Sequence, residues 1–513
     1  MRRLLSIGLL SLVFAGGSAL AADDMPGQGA KPAAPESKPV PKEDKYSSHH
    51  SVSIEGHSVS YTATFGNLVI KNDKDEPVGS MSYVAYVADG GNAEHRPLTF
   101  LYNGGPGSSS IWLHMGAFGP KRVVVSDGEA TPPPPYDLVD NDASLLDKSD
   151  LVFIDAMSTG MSQPVGKAEG KDFWGVDQDV DAFGRFIQRY INLNNRWNSP
   201  KFLLGESYGT TRSANLVDWL QGKGVAMNGV ILVSSVLNYG DTNAGTDLEY
   251  ITYLPSYAAI AWYHNKLPNK PADLKSFLQE VRGFARGEYA DALFQGDSLP
   301  QDKYDAVLHK LHAYTGLSEE YLRQTNLKVN ASRFRAELLR GDDRTVGRYD
   351  ARFEGINVDN AEETPDYDAS DTAITAAFTA AFNRYLRNDL AYTGDGNYHV
   401  TGYDVIQNWD FQHPLPGRPG FRKPPLPDVA ANLAEAIREN PHLRVFSANG
   451  WFDLATPFFK TEFDLQQMGL PADLAKRVEY GYYPSGHMIY LEPGSRKSLK
   501  ADLAKFYDEA LKP

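Results

Sequence analysis

The chain has 513 residues and no cysteine. No disulfide can form in it, and no lipid can be attached through a thiol near its start, so stability must come from core burial. Positive charge is also short: 50 Lys and Arg stand against 65 Asp and Glu, a formal net charge of −15. That balance argues against a nucleic-acid partner, whose phosphates attract a basic surface. The glycine-rich stretch "LYNGGPGSSS" (101–110) carries neither a Walker lysine nor a GxGxxG pattern, which disfavours a phosphate-binding loop. His49, His50 and His57 pair with no carboxylate at a ligand spacing, and "TGDGN" near 395 lacks the other positions of a calcium loop. No metal and no cofactor is expected.

What is present describes a folded, exported protein. Hydrophobic residues make up 42% and charged residues 22%, ordinary values for a globular chain long enough for a large core. Arg2 and Arg3 precede the apolar stretch "LLSIGLLSLVFAGG", and "ALA" at 19–21 supplies small residues for cleavage. Residues 1–21 therefore read as a signal peptide, too short in its apolar part for an anchor. The expected location is a bacterial periplasm or the medium, with no membrane attachment after signal removal. Residues 22–48 are rich in Pro, Ala, Lys and Glu and read as a flexible tether.

From 49 onward alternating Val, Tyr and Thr predict hairpin strands. Then come six short, nearly continuous apolar runs: "PLTFLYN", "DLVFIDA", "KFLLGES", "GVILVSS", "LRVFSANG" and "RVEYGYYP". Several are separated by helical periods such as "DVDAFGRFIQRYINLNN". Such strands alternating with helices predict an α/β fold, a mostly parallel sheet covered on both faces. Between the fourth and fifth runs lies a charged, helical interruption. The expected layout is a first core part at 49–244, a cap insertion at 245–428 and a second core part at 429–513.

The chemistry is concentrated in four places. "KFLLGESYGTT" sets Ser207 between Gly205 and Gly209 where a strand should pass into a helix. Strand, Gly-x-Ser-x-Gly, helix is the nucleophile elbow of α/β-hydrolases, and the two glycines leave room for its sharp turn. The bland alternative is a tight turn that happens to contain serine. A serine hydroxyl needs a base, and the base needs an orienting acid. Asp453 lies just beyond the apolar run of "RVFSANGWFD", and His487 just beyond that of "VEYGYYPSGHMIY". Serine, acid, histidine is the chain order this fold requires. Each alone reads as a helix cap or a loop histidine; their joint placement does not. The glycine-rich stretch can turn backbone N–H groups toward a developing oxyanion, and the amides of Gly105 and Tyr208 are the expected donors.

With these residues in view, the chain resembles the serine carboxypeptidases. "NGGPGSSS", "GESYG", the acid in "ANGWFD" and "SGHM" look like that family's four signature blocks in its order, and "FIDAMSTGMS" (153–162) looks like the loop before its elbow. The likeness covers roughly 95–240 and 440–495. It implies an α/β-hydrolase fold with an inserted, mainly helical cap, and acyl-enzyme chemistry that removes residues from the C-termini of peptide substrates. It carries over Ser207 as nucleophile, His487 as base, Asp453 as its partner, and Gly105 and Tyr208 as oxyanion donors. It further implies that Glu206, protonated, binds the substrate's terminal carboxylate together with Asn103 and Gly104.

Three positions depart from the family pattern. Leu101 stands where the family has Trp, Ser108 where it has Cys, and Ala117 where an ungapped count puts its second recognition glutamate. The triad is complete while the carboxylate clamp is half dismantled. With no second carboxyl to share a proton, Glu206 is expected to rise less in pKa than a paired acid would. The runner-up reading is an exported serine esterase or acyltransferase of the same fold. A binding protein with a dead site is opposed by the complete triad. Nothing in the sequence sets an oligomeric state.

Overall fold

In the computed structural model the six apolar runs are six strands. The structure describes residues 37–240, 246–417 and 423–512, so the expected signal peptide and residues 22–36 of the expected tether lie outside the described residues. The chain divides into two units, Met1–Ser37, of which only Ser37 is described, and Lys38–Pro513. In the second unit the alternating N-terminal region forms β1 (Lys45–Ile54), β2 (His57–Lys71) and β3 (Pro77–Ala88), a meander of antiparallel strands. The apolar runs form β4 (Leu98–Tyr102), β5 (Asp150–Ile154), β6 (Lys201–Ser207), β7 (Gly229–Ser235), β8 (Arg444–Gly450) and β9 (Val478–Tyr483).

All belong to one ten-stranded sheet with the order β1-β2-β3-β5-β4-β6-β7-β8-β9; the tenth, Gln163–Pro164, pairs with β3. Pairing is parallel from β5 through β9. The α/β-hydrolase arrangement expected from the sequence is thus the one observed.

Side chains alternate across these strands, and both faces are buried. Leu203, Val230, Leu232 and Val445 point into one core with α1 (Val176–Leu193), α2 (Tyr208–Gly222) and α4 (Ala430–Glu439). Phe202, Leu204, Ile231 and Phe446 point into the other, with α6 (Pro493–Ala510). Two-sided burial is why these runs are apolar throughout.

The interruption between β7 and β8 divides in two. Its first half, beginning with α3 (Leu248–Tyr263), builds a core of its own with Phe277, Leu308 and Phe334, which extends to Phe452 and to Phe458 of α5 (Phe458–Gln466). Among the described residues its strands are a short antiparallel pair, Arg344–Val346 with Glu354–Ile356. Its second half does not follow the expected cap. Helix Thr375–Asn388 places Ala377, Phe378, Phe382 and Tyr385 in the core beneath the sheet. Phe378, Phe382 and Tyr385 recur at i, i+4 and i+7 and give it an apolar face that the sheet can cover.

The expected tether also ends early. Lys45–Ser48 already pair with Ala63–Gly66, and the Glu43 carboxylate accepts from Val69 N at 2.7 Å and from Arg189. A two-residue alternation through Tyr46, Ser48, His50 and Val52 carries the strand back into the Pro-rich flank.

Candidate active site

The elbow is built by two glycines. An added Cβ at Gly205 would lie 2.1 Å from the carbonyl oxygen of Gly209, and one at Gly209 would lie 2.8 Å from that of Tyr102. Between them Ser207 has φ 60° and ψ −130°, a sparsely populated conformation that surrounding structure must hold. Ser207 is half-buried, while Asn103, Glu206, Asp453 and His487 are fully buried. Of these groups the serine is the one presented to solvent.

The expected acid and base meet. His487 Nδ1 and Asp453 Oδ2 are 2.8 Å apart. Asp453 is itself held in place: its Oδ1 accepts from the backbone N–H of Ala455 and Thr456, and its Oδ2 accepts from the Thr456 hydroxyl at 2.6 Å. With Nδ1 engaged by the acid, Nε2 is the ring nitrogen left to act as a base. Burial lowers the His487 pKa, but the charge and hydrogen bond of Asp453 outweigh it and hold the imidazole above its ordinary value.

The glycine-rich stretch lies on the elbow. A Cβ at Gly104 would come within 2.4 Å of Tyr208 N and 2.5 Å of Gly209 N. Only glycine lets the two backbones approach so closely. Gly105 has φ 103°. Tyr208 opens α2, so its N–H belongs to the first turn, where no intrahelical acceptor exists.

Asn103 is fixed on every side. Its Oδ1 accepts from Leu113 N at 3.0 Å, at the start of a π-helical turn Leu113–Phe118, and its Nδ2 donates to Glu206 Oε1 at 2.7 Å. Burial pushes the Glu206 pKa up to about 7, against the opposing pull of His487, Tyr490 and Asn103. Desolvation is the largest cause of that rise and the charge of Asp453 adds to it, with no second carboxyl sharing the proton. Leu101 is buried in the sheet's core, Ala117 is buried in the π-helical turn, and Ser108 Oγ accepts from Trp112 Nε1 at 3.1 Å.

Several supports went unread in the sequence. Arg212 is fully buried behind the elbow and ties three segments together: it donates to Asp179 of α1 at 2.6 Å and to the Asn103 carbonyl at 2.8 Å, with its guanidinium 4.1 Å from the Phe183 ring centroid. From the insertion, the Tyr349 carbonyl accepts from His487 N at 2.6 Å, and the Tyr349 ring lies 5.2 Å from the imidazole. Gly486 presses against Asp350, which is paired with the buried Arg352 at 2.6 Å. None of these residues carries a local motif; only three-dimensional proximity reveals them.

The chain is similar to several known proteins. The family model described as serine carboxypeptidase matches residues 64–271. Over 125 residues the chain is 38% identical to the pheromone-processing carboxypeptidase KEX1 of Saccharomyces cerevisiae, which covers 23% of this chain and 16% of that protein. Among solved structures, the prohormone-processing carboxypeptidase KEX1 of S. cerevisiae superposes with a TM-score of 0.49 at 15% identity, covering 87% of this chain and 91% of that one. A proline iminopeptidase of Mycobacterium smegmatis superposes with a TM-score of 0.36 at 13% identity, covering 87% and 98%.

Proposed function

We propose that this chain, which carries serine carboxypeptidase family sequence across residues 64–271, is a serine hydrolase that removes residues from the C-termini of peptides. The observation that carries the reading is the pairing of His487 with Asp453 at 2.8 Å in a site whose elbow presents Ser207 and whose Glu206 is joined to Asn103. Ser207 Oγ attacks the scissile carbonyl carbon while His487 Nε2 takes its proton. The amides of Gly105 and Tyr208 bind the oxyanion. As the C–N bond breaks, His487 returns the proton to the leaving amine, and an acyl-enzyme remains on Ser207. Water, deprotonated by His487, then releases the acid and regenerates the hydroxyl. Glu206, protonated, donates to the substrate's terminal carboxylate beside Asn103 and Gly104.

The test is product analysis on N-blocked peptides with free or amidated C-termini. Stepwise loss of residues from free ends, and little from amidated ones, is expected. Ser207→Ala should lower turnover by roughly four orders of magnitude and abolish labelling by a fluorophosphonate. Near-normal turnover in that variant would exclude the mechanism. The single carboxyl, with Ala117 at the position counted for a second one, favours a second reading in which an ester is the substrate; equal turnover of esters and amidated ends, with no preference for free ends, would establish it.

A further inference from the structure

Two buried polar atoms beside the elbow lack what the other could give. Glu206 Oε2 and Tyr490 Oη are both inaccessible to water, and neither completes a hydrogen bond of good geometry. A buried acceptor and a buried hydroxyl left without partners are each costly. They are neighbours: the carboxylate raises the proton affinity of the phenol, and the phenol lowers that of the carboxyl. Tyr490 is 1% exposed and follows His487 by three residues, in a short 3-10 turn Ile489–Leu491.

The ring has a fixed seat. It packs so tightly on Gly116 that an added Cβ there would lie 2.5 Å from Cε2 and 2.7 Å from Cδ2. Gly116 adjoins Ala117 in the π-helical turn that is anchored to Asn103. The phenol ring thus packs against the segment where a second acid is absent.

We propose that Tyr490 is a specificity-determining residue of the clamp, donating its hydroxyl proton to Glu206 Oε2 where a second carboxyl would otherwise share one. This rests on the reading of Glu206 as the group that binds the substrate's terminal carboxylate. The consequence differs from that of a carboxyl pair. A shared proton stabilises the protonated state, whereas a phenol donor stabilises the ionised state of Glu206. Burial, and after it the Glu206 charge, hold Tyr490 well above the ordinary phenol value, so it stays a donor throughout the working range. The other charged or titratable groups facing Glu206 are His487 and Asp453, with Asn103 as its neutral partner. Tyr490 therefore sets the upper pH limit at which free-ended peptides are bound.

The experiment is the pH profile of kcat/KM for an N-blocked peptide with a free C-terminus. Tyr490→Phe keeps the ring on Gly116 and removes only the hydroxyl. The descending alkaline limb should move up by roughly one pH unit, since two or three donors together lower a carboxyl by about two units. In the Glu206→Gln background the same substitution should move nothing, because no titrating carboxyl remains. A limb that stays in place in Tyr490→Phe, or moves equally in both backgrounds, overturns the inference. If Glu206→Gln alone leaves the alkaline limb intact, the carboxylate-binding reading of Glu206 fails, a separate result.

Discussion

At the scale of single residues, the site sets two proton requirements against each other. His487 must be neutral to act as base, and Asp453 holds its pKa above the ordinary value against the opposing effect of burial. Glu206 must be protonated to donate to a carboxylate, and burial carries it to about 7. The two groups interact, so the apparent values belong to the pair. For a free-ended peptide, kcat/KM should rise as His487 loses its proton and fall as Glu206 loses its own, giving a narrow bell. An ester or amide with no terminal carboxylate should lack the alkaline limb. Glu206→Gln keeps a donor without a charge and should flatten that limb for free-ended peptides. A bell of the same width on esters would place the second ionisation elsewhere. The meeting of Asp453 with His487 was legible because each follows a recognisable strand in the order this fold requires. The contacts of Thr456, Tyr349 and Tyr490 with the site were not, because no local pattern encodes them.

Elements were legible where burial on both faces made a strand uniformly apolar. β4 to β9 read directly for that reason, whereas the start of β1 was hidden by its Pro-rich flank. The burial of Thr375–Asn388 was hidden because an amphipathic helix does not say which core it will face. Arg212 shows the same gap in reverse: a charged residue on α2 suggests a solvated position, yet it is fully buried. It joins α1, α2 and the strand-to-loop junction at Asn103 through Asp179 and the Asn103 carbonyl. Arg212→Met should leave Asp179 buried without its partner and cost about 3–5 kcal/mol of stability, read from urea denaturation. Adding Asp179→Leu should recover much of that loss, since an apolar pair replaces an ion pair with little net change. If the double variant is no more stable than the single, the cost came from lost packing, not from a stranded charge.

At the scale of the whole molecule, the interruption between β7 and β8 holds the segments that carry Asp453 and His487. Its two ends meet: Asn238 and Asp428 form an antiparallel bridge, and Val429 N donates to the Leu237 carbonyl at 2.9 Å. A short linker could therefore replace residues 241–427 without stretching the sheet. If the interruption were only a cap, the shortened protein would keep a working triad. The contacts argue otherwise. Tyr349 holds the backbone of His487, Ala351 N donates to the Phe452 carbonyl at 3.0 Å, and Leu454 N donates to the Arg348 carbonyl at 3.1 Å. One inserted loop thus fixes the residues on both sides of Asp453 and the backbone of His487. Excision should abolish fluorophosphonate labelling of Ser207 even in any fraction that remains soluble and helical by circular dichroism. The full-length variant Arg352→Met tests the same dependence without removing the cores. It strands the buried Asp350 against Gly486 and should lower kcat well beyond any change in KM, at a temperature where the fold persists. Labelling of the excised protein at the full-length rate would show that the sheet positions its triad unaided.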